Sequence, residues 1–340
     1  MARESIGTAE FERLVARTGN EDYLARPYAG RRDDMTPSEC VMMAAANDCS
    51  VMTASGTMTG RSPVIVRMAI CRAINGLAVR NRTVKAVSLF LNVPAGMPEA
   101  EIRPFMREAY AVTPLSDVEI IRTGTDSVTA YAAAYGEPSA ESSEAKASEA
   151  ARNNQEPKTF TEYPPDAECR IVMCGTAGAE ETVLLYEENR DRLKNRYPEH
   201  FLKDIPLLAD GLNAAEYCGI AWEHGALYQY ACGDGGVYSG LFGMSERLRT
   251  GLSVCLPSIP ISQKTIEICE ELDTDPYLIG AGGCILMITK HAEELLKALW
   301  EAGAEAADIG RLCEGHAKEL RNGEEVRFLE PLRTKKNVNQ

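Results

Sequence analysis

Acidic side chains beside turns are the residues of this chain best suited to bind a divalent cation. Asp48 follows Asn47 in a predicted hairpin turn, Thr125 and Asp126 precede a predicted strand, and Asp234 lies between glycines. Mg²⁺ takes hard oxygen ligands, which these carboxylates could supply. Short polar residues also stabilise turns by hydrogen bonds to nearby backbone, and this structural interpretation is favoured at each of these positions.

Other site chemistries have weaker support in the sequence. The turn Gly175-x-x-Gly178 precedes a predicted helix and could approach a phosphate through backbone N–H groups. The four histidines lie in separate contexts without i, i+4 pairing, and no Cys-x-x-Cys pair occurs, so we predict no metal cluster. The eleven cysteines are scattered through apolar segments, a distribution typical of reduced, buried thiols.

Composition and charge exclude some classes of partner. The chain has 340 residues, of which 45% are hydrophobic, and a formal net charge of −14. Such an acidic surface repels nucleic acid and anionic membranes at long range, so neither is an expected partner. No stretch approaches the roughly 18 apolar residues of a membrane span, and the first residues lack the apolar core of a secretion signal. We therefore expect a cytoplasmic protein.

Hydrophobic periodicity predicts alternating strands and helices in both halves of the chain, which indicates the α/β (α+β) class. The first half has predicted strands over residues 40–46, 50–55, 84–93, 118–121 and 128–135, and predicted helices over 64–79 and after Pro98. Pro104 requires that the second of these helices begin late or kink. The second half has predicted strands over 170–174 and 284–288, and predicted helices from Gly178 towards Tyr197, over 262–272 and around Leu295–Trp300.

One segment separates the two halves. Residues 137–158 are rich in Ser, Ala, Glu and Asn and contain no aromatic or large aliphatic side chain, so they cannot contribute to a core. We predict a first domain over residues 1–136, a linker over 137–158, a second domain over 159–334 and a short tail over 335–340.

Several segments, taken in their order along the chain, resemble the superfamily of aminoimidazole ribonucleotide synthetase, selenophosphate synthetase, thiamine-monophosphate kinase and the ATP-using hydrogenase maturation factor. They cover nearly the whole chain outside the linker: Phe11–Gly19 with Ser38–Met43, Met68–Ala78, Ile121–Val128, Gly175–Tyr197 with Gly233–Val237 and Gly280–Ile288, and finally Phe328–Arg333. No single motif would suffice, because a lone Gly-Gly turn is weak evidence.

The resemblance implies a two-domain fold in which the amino-terminal, ATP-binding-type domains of two copies pair into a β-barrel-like dimer. It also implies a mixed-sheet second domain, and nucleotide bound near the subunit interface. In active members the chemistry is phosphoryl transfer from ATP to activate an oxygen, and paired carboxylates hold the magnesium ions. The turn at Gly175 resembles a structural turn of the superfamily.

Most of the expected carboxylates are replaced in this chain. Glu39 keeps the first acid of an expected acidic pair, but Cys40 stands where the second should be. Gly56 stands in place of the acid that ends a Ser-Thr-Asp strand. The asparagine of an Asn-Asp pair survives as Asn75, whereas Gly76 replaces the aspartate. In the second domain Ala231 occupies the place of an aspartate, ahead of the retained turn Gly235-Gly236.

The leading hypothesis from these replacements is a catalytically degenerate, homodimeric member of the superfamily. It would bind a nucleotide-like ligand or a protein partner, or pair as a heterodimer with an active paralogue, and no cofactor is assigned to it. The remnants of the nucleotide and metal site would be Glu39, Asn75, Thr125 and Asp126.

Two alternatives remain open from the sequence. The first is an active enzyme that uses Mg-ATP through Glu39, Asp48, Asp126 and Asp234. The second is a scaffold in which only the second domain binds a partner. The end of the chain lacks the terminal cysteine that carries the carbamoyl group in the hydrogenase maturation factor, so that particular reaction is disfavoured.

Overall fold

The computed structural model describes residues 4–5, 52–139 and 169–330. The chain forms two compact units, residues 1–159 and 160–340. Each unit contains its own mixed sheet with helices, which confirms the predicted α/β class.

The first unit has a five-stranded sheet in the order β1-β4-β3-β5-β2. Strands β3 and β4 are parallel and are joined by helix α2, whereas the other neighbours are antiparallel. The elements of this unit are β1 (Glu4–Ser5), β2 (Met52–Gly60), α1 (Val64–Ala78), β3 (Arg82–Pro94), α2 (Glu99–Val112), β4 (Asp117–Thr123) and β5 (Val128–Pro138).

Helix α1 forms the centre of this unit. Twelve of its fifteen residues are buried, because it contacts strands β2, β3 and β5 as well as helix α2. Apolar residues occur on most sides of α1, and that pattern predicted a helix buried against a sheet. The prediction over residues 64–79 is confirmed.

The first turn of helix α2 differs from the late start expected from Pro104. It begins at Glu99, directly after Pro98, so the late start predicted from Pro104 is wrong. Pro98 has an extended conformation that ends the preceding loop, and Pro104 lies inside the helix. Proline removes one hydrogen bond to the carbonyl four residues earlier, and that residue, Ala100, is exposed to water.

The predicted strand at 50–55 is longer than expected. Strand β2 continues to Gly60, because every residue from Met52 onwards pairs with β5. The predicted strand at 40–46 and the turn at Asp48 lie outside the described residues. Strand β5 runs through Pro138, two residues into the predicted linker, since Glu137 and Pro138 still pair with Thr83 and Arg82.

The second unit has a seven-stranded sheet in the order β12-β11-β8-β10-β6-β9-β7, in which only β8 and β11 are parallel neighbours. Its strands are β6 (Arg170–Cys174), β7 (Ala226–Ala231), β8 (Gly251–Cys255), β9 (Ile285–Thr289), β10 (Ala306–Cys313), β11 (Lys318–Asn322) and β12 (Glu325–Phe328). Its helices are α3 (Ala179–Glu188), α4 (Arg190–Arg196), α5 (Glu199–Leu202), α6 (Ala215–Glu223), α7 (Gly236–Leu248), α8 (Gln263–Leu272) and α9 (Ala292–Glu301). Short 3₁₀ helices span Pro206–Leu212 and Leu256–Ser258.

Strands β6 and β9 are apolar on both faces because both faces of the sheet are covered. Ile171 and Met173 of β6 share a buried cluster with Val237 and Leu241 of α7, while α9 packs against β6 and β10. Side chains alternate between the two faces of a strand, so a strand covered on both sides is a continuous apolar run. This explains why the predicted strands at 170–174 and 284–288 were recognisable.

The predicted helix from Gly178 towards Tyr197 is divided into α3 and α4 at Asn189. The backbone of Asn189 is not helical, and its side-chain amide donates a 2.9 Å hydrogen bond to the Leu185 carbonyl. Asparagine readily forms such local hydrogen bonds in place of helical ones. The predicted N-cap of α8 is confirmed, since the Ser262 hydroxyl accepts a hydrogen bond from the Lys264 N–H at 3.2 Å.

Helix α1 and strand β2 approach each other closely at two glycines. A Cβ atom added to Gly56 would clash with the Ala69 carbonyl oxygen and lie 2.7 Å from the Arg72 Cβ. A Cβ atom added to Gly76 would lie 2.9 Å from the Ala54 Cβ. The helix therefore lies against the strand backbone at Gly56 and against the Ala54 side chain at Gly76, with no larger side chain between them.

We expect Gly56→Ala to destabilise the first unit, because the new methyl group would force helix and strand apart. Overpacking of this kind costs about 1–3 kcal/mol. Gly96→Ala is the matched control, since a Cβ atom there meets nothing within 4 Å. Denaturant unfolding should show a lower midpoint for Gly56→Ala alone. Equal midpoints for the two variants would show that the contact can relax without cost.

Candidate functional site

The two glycines predicted to replace acids in the first unit, Gly56 and Gly76, are the same glycines that bring α1 close to β2. A carboxylate at position 56 would project into the backbone of α1 and not into open space. Side chains of β2 that point away from α1 are hydroxyls instead, at Thr53, Ser55, Thr57 and Thr59, and all four are exposed. No acid fits at Gly56 with the helix in this position.

The predicted remnants of the first unit do not lie together within it. Asn75 is buried beside Gly76, which contacts Ala54. The Thr125–Asp126 loop lies at the other end of the sheet, directly before Val128, which pairs with Gly60. Gly60 lies six positions along β2 from Ala54, which corresponds to roughly 20 Å of strand between the end near Asn75 and the end near Asp126.

The loop of Thr125 and Asp126 has the hydrogen bonds of a turn. The Thr125 hydroxyl lies 2.8 Å from the Thr123 hydroxyl and donates to the Ser127 carbonyl at 3.1 Å. Asp126 is exposed. These local contacts favour the structural interpretation, and the role of the loop in ligand binding stays a prediction.

Ala231 and the Gly235-Gly236 turn lie together in the second unit. Ala231 ends β7 opposite Ile285, and the turn begins α7. Both glycines have positive φ angles, 77° and 68°. A Cβ atom on Gly236 would clash with the Tyr277 carbonyl oxygen and lie 2.6 Å from that of Ile279. The retained turn therefore holds α7 against the loop around Tyr277–Ile279.

The Gly175-x-x-Gly178 turn already uses part of its backbone N–H groups in hydrogen bonds within the protein. The N–H of Gly175 donates to the Glu305 carbonyl at 2.8 Å, and that of Ala177 donates to the Pro260 carbonyl at 2.9 Å. Further on, the Glu181 N–H donates to the Gly280 carbonyl at 3.2 Å. Anion sites at helix starts depend on unsatisfied N–H groups, so these three hydrogen bonds favour a structural role for the turn.

Glu180 is a buried acid that sequence reasoning missed. Its carboxylate accepts a 3.0 Å hydrogen bond from the Gly282 N–H, and its side chain fills the space where a Cβ atom of Gly282 would lie. Buried carboxylates need such partners to offset their lost hydration. The sequence offers little signal for this role, because Glu181 and Thr182 follow directly and make the segment look like an ordinary polar helix start.

The buried thiols of the second unit are not activated nucleophiles. Burial raises the pKa of Cys174 and of Cys232 to about 12, so both stay protonated at neutral pH. No disulfide joins the nine cysteines of the described ranges, and most of these thiols are buried, as predicted. Cys255 is exposed instead. Glu39 and Cys40 lie outside the described residues.

Two structural features bear on metal binding and on the membrane. Within residues 52–139 and 169–330, no three His, Cys, Asp or Glu side chains are grouped so as to hold a metal ion. No helix in these ranges is long and apolar enough to cross a membrane.

Comparison with known proteins gives structural matches only. No family model matches the sequence, and no curated protein matches it. HypE of E. coli, a hydrogenase maturation protein, matches with a TM-score of 0.68 at 17% identity, covering 96% of this chain and 97% of HypE.

Two further solved structures extend the likeness. HypE solved in complex with ATP matches with a TM-score of 0.63 at 14% identity, covering 96% of both chains. Thiamine-monophosphate kinase of Stenotrophomonas maltophilia matches with a TM-score of 0.62 at 16% identity, covering 94% of this chain and 98% of the kinase. The chain therefore has the two-domain fold of these proteins, as the ordered segments predicted.

We expect Gly236→Ala to destabilise the second unit by about 2 kcal/mol or more. A left-handed backbone costs an L-residue about 1–2 kcal/mol, and the clash with the Tyr277 carbonyl adds to it. Gly233→Ala is the matched control in the same turn, because a Cβ atom there meets nothing within 4 Å. Hydrogen exchange of α7 amides should accelerate in Gly236→Ala and stay unchanged in Gly233→Ala. Unchanged exchange in both variants would contradict the anchoring role of the turn.

Proposed function

We propose that this chain is a catalytically degenerate relative of HypE and thiamine-monophosphate kinase that acts by binding a nucleotide-like ligand without turnover. The fold supports the nucleotide class, since one of the matching structures is HypE in complex with ATP. The single observation that carries the loss of catalysis is the packing of Gly56 against α1. That packing leaves no room for a metal-binding acid at the position where the resemblance implies one.

The replacements at Gly76 and Ala231 support the same conclusion. Gly76 packs against Ala54, and Ala231 pairs within the sheet. Magnesium ions neutralise phosphate charge in phosphoryl transfer, and losing even one carboxylate ligand weakens both metal binding and transition-state stabilisation. Cys40, which replaces a further acid in the sequence, belongs to the same proposal. The glycines and apolar positions that hold the fold are retained, as expected for a protein that binds but does not catalyse.

We expect ATP to raise the unfolding temperature equally with and without Mg²⁺, with no release of ADP. A ligand that binds the folded state stabilises it by mass action, and without metal ligands the metal adds nothing. The alternative, an active Mg-ATP enzyme that uses Asp126 and Asp234, predicts a larger shift with Mg²⁺ together with ADP release.

The variants Asp126→Asn and Asp234→Asn separate the two functions further. Under our proposal the ATP shift of both variants should be the same with and without Mg²⁺, as in the wild type, whereas in an active enzyme both should lose a Mg²⁺-dependent part of the shift. Absence of any shift with ATP would overturn nucleotide binding and leave partner binding as the function of the fold.

The proposal includes a homodimer formed through the exposed part of the sheet face that points away from α1, around Tyr131, whereas Ala133 and Tyr135 of the same face are buried. Phe90 and Tyr131 are neighbours on this face, with ring centroids 6.0 Å apart, and Tyr131 is 40% exposed. The exposed hydroxyl side chains of β2 continue the face, and the Thr59 and Thr129 hydroxyls lie 3.1 Å apart. Aromatic residues are enriched at protein interfaces relative to the rest of the surface. A heterodimer with an active paralogue would use the same face, and a cytoplasmic location is part of the proposal.

We expect Tyr131→Glu to convert the dimer to a monomer, because it places a charge in the centre of the proposed interface. Phe328→Glu is the matched control, since it introduces the same charge at an exposed aromatic residue of the second unit, 62% exposed. Sedimentation equilibrium at several concentrations measures the change. A wild-type protein that stays monomeric at high concentration would refute this interface.

A further inference from the structure

A cavity of about 240 Å³ lies within the second unit, beside the Gly175-x-x-Gly178 turn and apart from the positions where the resemblance implies acids. Its volume is below the range of about 300–1,000 Å³ typical of drug-sized ligands. The cavity therefore suits a small molecule and is too small for a whole nucleoside triphosphate.

The walls of the cavity are formed by two turns of bare backbone. Gly175 and Gly283 both line it, and both have φ angles of 89°. A Cβ atom on Gly175 would lie 2.8 Å from the Gly283 carbonyl oxygen, so the two turns approach each other with no side chain between them. The Gly175 N–H also donates to the Glu305 carbonyl at 2.8 Å, which fixes Glu305 beside these turns.

The described residues that line the cavity carry negative charge and no positive charge. Glu305 is the single formally charged side chain among the described residues that line the cavity. Thr176 and Tyr217 also line it, and burial raises the pKa of Tyr217, so that its hydroxyl is neutral. Cys174 is a neutral thiol for the same reason. The N–H groups of Gly175 and Gly282 donate to protein acceptors, and the described residues of the lining include no cationic side chain that would attract an anion.

The remaining wall is aliphatic. Leu207, Leu208 and Leu212 come from the 3₁₀ helix Pro206–Leu212, and Leu207 is 61% exposed at this wall. An exposed leucine beside a carboxylate and two hydroxyls matches a ligand with an apolar chain and a polar end. Pockets that bind small molecules combine apolar walls with a few placed polar groups in this way.

We propose that this cavity binds a small organic cation, a primary ammonium on a short aliphatic chain. The ammonium group pairs with the Glu305 carboxylate and donates to the hydroxyl oxygens, while the aliphatic chain covers the leucines. This site is separate from the nucleotide site proposed above, because neither Ala231 nor Asp234, the second-unit positions of that proposal, lines the cavity.

The test is a titration of the full chain, labelled with ¹⁵N at glycine only, with n-butylammonium chloride. Five glycines line the cavity, at positions 175, 211, 282, 283 and 303, and their amide signals should shift. Gly56 and Gly76 of the first unit are internal references that should not shift. n-Butanol and sodium butyrate, at matched ionic strength, have the same chain length without the positive charge, and we expect them to bind more weakly.

The variant Glu305→Gln should weaken n-butylammonium binding about two- to five-fold, the range for an exposed ion pair. Glu301→Gln is the matched control, because Glu301 is exposed four residues earlier and does not line the cavity. Equal shifts with butyrate and butylammonium, equal affinity of Glu305→Gln and wild type, or no shift of the cavity glycines would each overturn the proposal. Loss of ATP binding with retained butylammonium binding would affect only the nucleotide proposal.

Discussion

Contact between bare backbone surfaces at glycine is the constraint on which both units depend. In the first unit Gly56 and Gly76 allow helix α1 to rest on strand β2, and every other contact of this buried helix follows from that distance. In the second unit Gly236 lies against the carbonyls of Tyr277 and Ile279, and Gly175 lies against Gly283. Interiors are packed as densely as organic crystals, so a single added methyl group at such a contact displaces whole elements.

The two close-packed glycines of the first unit also bear on the candidate nucleotide site. Gly56 and Gly76 stand where the resemblance implies acids, yet in this chain both are close-packing positions. A carboxylate at position 56 and this tight helix–strand contact therefore exclude each other. A reversion to aspartate at this position would bury a charge against the backbone of α1, which is costly without a partner.

Several acidic side chains of the described residues stabilise the second unit through hydrogen bonds and ion pairs. Glu180 is buried and holds the Gly282 N–H, and Asp308 pairs with Arg170 at 2.8 Å across neighbouring strands. Glu246 reaches Lys318 at 2.7 Å, and this lysine also lies 4.8 Å from the centre of the Phe242 ring. Glu305 differs from these acids, because it lines a cavity beside hydroxyl and leucine side chains.

The sequence by itself determined the fold class, helix α1 and strands β6 and β9, because hydrophobic periodicity is a local property of the chain. It also determined the N-cap Ser262, because capping depends on residues next to each other in sequence. The order of the segments that resemble the superfamily also predicted the two-domain fold. Only the tertiary structure decided what Gly56 and Gly76 contact, that Asn75 and Asp126 lie at opposite ends of one sheet, and that Glu180 is buried. It also brought Glu305 to Gly175 across 130 residues of chain. Such pairings arise from strand register and from close approach between distant segments, which no spacing along the chain records.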